Sequence, residues 1–149
     1  MPINAMDLQR YAKANCGPEV DETTLRAAAS RAYYGAYHAL LPFVEQLPVS
    51  NSGDRAARTI GHREMLRRIQ EWHTSGIHPK LSSMARSRTQ LVLALRAMRE
   101  TREAADYLLG GSLSRNDVLQ QVERGRKVQS IALQVQDLIA SPQDDAAYG

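Results

Sequence analysis

The chain is poor in the residues that close small folds by other means. Its 149 residues hold one cysteine, one tryptophan and one phenylalanine. A lone Cys16 excludes an internal disulfide and suits a reducing compartment. No apolar run approaches the roughly 18 residues that a membrane-spanning helix needs. The opening stretch, MPINAMDLQRYAKANCG, carries Asp7 and no uninterrupted apolar block, so it does not read as a secretory signal. The expectation from these absences is a cytoplasmic chain without membrane association. Lysine is also scarce. Sixteen of the 19 basic residues are arginine.

The arginines are unevenly placed. Between Asn51 and Arg102 there are eleven basic and four acidic residues, a surplus of seven on a chain whose net charge is +3. A guanidinium fork matches phosphate geometry, whereas an ammonium acts as a point charge. The pattern leans toward an anionic partner such as RNA. It also fits arginine-rich helix faces that are simply solvated.

At this length the chain makes about one ordinary domain with a real core. Ala, Leu, Arg, Gln and Glu dominate and β-branched runs are few, which predicts an all-α bundle. Five helices are expected. The first covers about residues 4–15 and ends at Gly17-Pro18. The second begins behind Asp21 as N-cap and runs to about Leu47. The third runs from about Arg55 or Gly61 to His73, between the loops PVSNSGD and HTSGIHPK. The fourth covers about residues 81–109 and stops at Gly110-Gly111. The fifth starts after Ser114, with Asp117 at the capping-box position, and reaches about Ala140. Residues 1–140 form the expected single domain, and 141–149 a disordered C-terminal tail.

The second helix contains SRAYYGAYHAL, an unusual mixture of tyrosines, arginine and histidine among small residues. On a wheel stepped at about 100° per residue, Leu25, Ala28, Ala29, Ala32, Tyr33, Ala36, Tyr37, Leu40, Phe43, Val44 and Leu47 fall in one broad core arc. Arg31 and His38 lie two turns apart and nearly in line on the opposite side, with Tyr34 between them. Ala27 and Gly35 flank this strip, so the expected outward face allows close approach of another chain. Pro42 removes the donor that would meet the His38 carbonyl, and a kink is expected there. For the spacing alone, an exposed Arg/His pair without a role is the ordinary reading.

SRAYYGAYHALL resembles the first signature of the HEPN superfamily (higher eukaryotes and prokaryotes nucleotide-binding domains). That signature sets Ser-Arg-Ala-Tyr-Tyr ahead of an aromatic and His on one helix. The family's nuclease motif is Arg, four to six residues, then His, which maps here onto Arg31 and His38. LRAMRETREAADYLLGGSLSRNDVLQQVERGRKV is similar to the family's later helices, in which an arginine-rich turn precedes Ala-Asp-Tyr. The resemblance covers roughly Asp21 to Leu138.

The resemblance implies a four- to five-helix up-and-down bundle that dimerises through the motif helix. It implies one composite, metal-independent ribonuclease site shared by two protomers, in a toxin or defence effector cutting tRNA or mRNA to a 2′,3′-cyclic phosphate. Arg31 and His38 are then catalytic, with Ser30, Tyr34 and Asp106 supporting and Tyr107 packed nearby. Arg63, Arg67, Arg99 and Arg102 are the candidate RNA-binding arginines. No metal or other cofactor is expected, and His62, His73 and His78 read as loop or surface histidines. A cognate antitoxin or defence-system protein is an implied partner. Some family members bind nucleotides or proteins without cleaving, which is the alternative. Ala32 stands where many nuclease members have Asn, Asp or His. Leu40 stands where one toxin branch has a tyrosine modified by its antitoxin, so that form of control is not implied.

Overall fold

The computed structural model describes residues 2–48, 60–72 and 79–141, and within them every regular element is helical. Helix α1 spans Ala5–Ala14, α2 Glu22–Val44, α3 His62–Gln70, α4 Ala85–Tyr107 and α5 Arg115–Ala140, with a 3-10 turn over Pro79–Met84 leading into α4. The all-α bundle is present as expected. Most of the PVSNSGD loop, the start expected at Arg55, His73, His78 and residues 142–149 lie outside the described residues.

The helix starts follow capping chemistry. The Asp21 carboxylate accepts the Thr24 N–H at 2.8 Å, and the hydrogen bonds from Thr24 hold its carboxyl below the usual range. Ser114 and Asp117 exchange side-chain and backbone bonds, both at 3.1 Å, as a capping box. Asn4 and Asp7 build a second box at the start of α1. At the other end of α2, the helix continues two residues past Pro42, so the proline sits in its last turn.

Helix α2 is the axis of the bundle and packs against all four other helices. Its small residues Ala28, Ala29, Ala32, Gly35 and Ala36 are buried, which lets neighbouring backbones come close. Glutamines exploit that closeness. Gln121 on α5 donates from Nε2 to the Met98 carbonyl at 2.8 Å and the Ala29 carbonyl at 3.3 Å. Gln129 reaches the Ala5 carbonyl at 3.1 Å, and Gln136 the Ala39 carbonyl at 3.2 Å. From α1, Gln9 donates to the Val122 carbonyl at 3.0 Å. A helical carbonyl has a second lone pair, so these bonds form without breaking the ladder.

The same contacts give the helix directions. Arg26, near the start of α2, donates to the Ala104 and Ala105 carbonyls near the end of α4, at 2.9 and 3.1 Å. Helices α2 and α4 are therefore antiparallel, and the guanidinium sits at the negative end of α4. Helix α5 runs with α2, and α1 runs against both. The up-and-down expectation needs correcting at α3. Tyr33 meets His62 at the start of α3, while the Val44 and Leu47 carbonyls accept from Arg68 near its end, at 3.3 and 3.4 Å. Helix α3 thus lies along α2 in the same direction.

The wheel of α2 holds with one correction. All its core residues are buried except Tyr37, which is half-buried. Gly35, expected beside the outward strip, is buried instead. A Cβ there would stand 3.2 Å from both the Ala5 carbonyl and the Gln129 amide. Helix α1 crosses at this point, and the missing side chain eases its close approach.

Candidate functional site

Arg31, Tyr34 and His38 do share one exposed strip of α2. The three tyrosines of this segment have different tasks. Tyr33 turns inward and its hydroxyl lies 2.8 Å from His62 Nδ1. Tyr37 donates its hydroxyl to the Ile60 carbonyl. Tyr34 stays outside, edge-on to Tyr33 with ring centroids 5.3 Å apart.

Two of the strip residues are braced by neighbours. The His38 ring packs edge-on against Tyr37, with centroids 5.1 Å apart. Because Tyr37 is tied to Ile60, the orientation of His38 is coupled to the chain just before α3. Burial raises the Tyr37 phenol, followed by the nearby Glu45 charge, which keeps it a donor. Tyr34 is braced by Arg102 of α4, whose guanidinium carbon lies 5.8 Å from its ring centroid.

Arg102 is the centre of the arrangement. It also lies 5.1 Å from the Tyr33 centroid and 5.7 Å from that of Tyr107. Its NH1 is 3.8 Å from Asp106 Oδ2, and its side chain is 13% exposed. Asp106 accepts the Ser30 hydroxyl at 3.2 Å. The chain Ser30–Asp106–Arg102–Tyr34 therefore runs from the buried side of the motif helix, across α4, and back to the exposed strip. Ser30 and Asp106, expected as supporting residues, are joined directly.

The four candidate RNA-binding arginines separate. Arg63 is exposed on α3 and Arg67 half-buried there. Arg99 pairs with Glu103 at 3.0 Å. Arg102 is too enclosed to act as a free surface cation and instead holds rings. Its spacing to Asp106, four residues on one helix, is the sequence signal for that role.

His62 also departs from expectation. It is half-buried as the first residue of α3, not a free loop histidine. Burial, then the charges of Arg99 and Arg102, push it down to about 4. Burial pushes Tyr33 up to about 12. Both are neutral near physiological pH, and with the proton on Nε2 the Tyr33 O–H donates to Nδ1. Nothing in the local sequence marks this pair, because its partners lie 29 residues apart.

A separate groove lies away from the strip. A groove of about 590 Å3 between α4 and α5, floored by Leu93, Ala94, Ala97, Val128 and Ile131, contains none of these residues. Among the described residues, no three His, Cys, Asp or Glu side chains converge as metal ligands, and no helix is long and apolar enough to cross a membrane. The chain matches no protein-family model, no curated protein and no solved structure.

Proposed function

We propose that the chain is a metal-independent endoribonuclease of HEPN type, a toxin or defence effector that cuts tRNA or mRNA as a homodimer. The reading is carried by the exposed Arg31–Tyr34–His38 strip, whose Tyr34 and His38 rings are held by Arg102 and Tyr37. The sequence resemblance over SRAYYGAYHALL and the Ala-Asp-Tyr stretch supports it. In one protomer the strip offers a single histidine, and two strips meeting about a two-fold axis supply two.

The proton transfers then divide between the two protomers. One His38 takes the proton of the RNA 2′-OH, and that oxygen attacks the adjacent phosphorus. The bond from phosphorus to the 5′-oxygen breaks, and the His38 of the second protomer protonates the departing oxygen. Arg31 from either protomer holds the phosphate oxygens as negative charge grows on them. The product is a 2′,3′-cyclic phosphate.

A second reading is favoured by Ala32. It is fully buried beside Arg31, so the position that is polar in many nuclease relatives gives nothing to the strip here. On that reading the chain is a non-cleaving nucleotide- or protein-binding subunit. The test is incubation of purified protein with total RNA and tRNA in chelator, beside His38→Ala. Cleavage by the parent that disappears in the variant supports the nuclease. RNA left equally intact by both selects the binding subunit.

A further inference from the structure

We infer that Tyr107 and Tyr34, braced by the Arg102 guanidinium, form a platform on which unpaired RNA bases stack. This rests on reading the chain as an RNA-acting protein and adds where a base sits. The arrangement is an inversion of ordinary packing. The cation is enclosed, at 13% side-chain exposure, while Tyr107 is 71% exposed and Tyr34 37%. Arg102 lies over both rings at 5.7 and 5.8 Å, so each ring meets a cation on the protein side. Tyr107 is the last residue of α4, where the chain leaves the helix and Leu108 and Leu109 are exposed as well.

An aromatic ring in contact with a cation loses part of its freedom while keeping an exposed face. That favours stacking, since a base then meets a lower ordering cost on the protein side. Every base has a π-face, so the platform tolerates sequence. A duplex hides those faces, so it selects single strands, loops and splayed ends. The nearby acid does not oppose this. Asp106 is turned inward, accepting from Ser30 at 3.2 Å and facing Arg102 at 3.8 Å. Arg31 stands three residues from Tyr34 on the same strip and can meet the phosphate next to a base stacked there.

The test uses the full chain carrying His38→Ala, so that RNA survives the measurement. Fluorescein-labelled oligouridine and oligoadenine of about eight nucleotides, and an RNA duplex, are titrated by anisotropy. Tyr107→Leu should weaken single-strand binding about tenfold and leave duplex binding unchanged, while Tyr107→Phe stays within about twofold. Tyr107→Leu binding single strands as tightly as its parent overturns the platform, as does Tyr107→Phe losing as much as Leu. The two readings fail separately. Wild-type protein that leaves RNA intact, with Tyr107-dependent binding retained, removes the nuclease and keeps the platform. Cleavage by the wild type with Tyr107-independent binding does the reverse.

Discussion

The Tyr33 hydroxyl and His62 Nδ1 lie 2.8 Å apart, and this bond ties the start of α3 to the middle of the motif helix. It joins two neutral groups in a region that also holds Arg99 and Arg102. A protonated His62 has no place there, and that gives the fold a pH dependence.

The sign follows from the direction of the shift. His62 is pushed from an ordinary 6.5 to about 4, first by burial and then by the two arginines. Between those values the unfolded chain binds more protons than the folded one, so stability falls as pH falls. It is fully present above about 6.5 and lost progressively toward about 4. Discounted for partial exposure, the loss is about 1 kcal/mol. Urea midpoints measured from about pH 7 down to about pH 4.5 should decline, and His62→Asn, which keeps an acceptor for Tyr33, should flatten that decline.

Arg31→Ala and His38→Ala should separate activity from folding. Both side chains are exposed, so each change should move stability by less than about 0.5 kcal/mol in a thermal melt. Cleavage of RNA in chelator should fall by about 100-fold or more with His38→Ala. A melt shifted by many degrees would reassign these residues to the fold.

Asp106→Ala should be costlier than its partly exposed position suggests. It removes the carboxylate facing Arg102 and the acceptor of the buried Ser30 hydroxyl together. The expected destabilisation is about 1–3 kcal/mol, against about 1 kcal/mol for Ser30→Ala, which leaves Asp106 and Arg102 in place. Chemical denaturation of the two variants and the double variant checks this, because the pair should be less than additive.

Gln121 offers a test of what its buried amide contributes. It is fully buried and donates to two carbonyls that already belong to helices. Gln121→Met keeps the volume and strands no donor, so it should change stability by less than about 1.5 kcal/mol. Gln121→Ala leaves a cavity and should cost about 2–4 kcal/mol. Equal losses in the two would assign the effect to the hydrogen bonds.

Much of this was legible in residue order. Asp21, Ser114 and Asp117 mark helix starts because capping is local. The α2 wheel separates Arg31 and His38 from Leu40 and Phe43 because helical period is local too. Gly35 differs because a wheel shows which way a residue points and not what crosses there, and here α1 does. The surroundings of Arg102 and His62 are hidden from the sequence for the same reason. Their surroundings are tyrosines on another helix, and neither a surplus of arginine nor the spacing of histidines carries that information. Helix α3 lying along α2 rests on contacts between residues far apart in sequence, such as Arg68 with the Val44 and Leu47 carbonyls, which no local pattern marks.

A helix gripped along most of its circumference cannot roll. Helix α2 has α1, α3, α4 and α5 against it, and glutamines from α5 pin it lengthwise at Ala29 and Ala39. The strip carrying Arg31 and His38 can therefore be neither turned inward nor slid out of line without unmaking the bundle. Rolling or sliding of α2 is therefore not a route by which this surface could be switched.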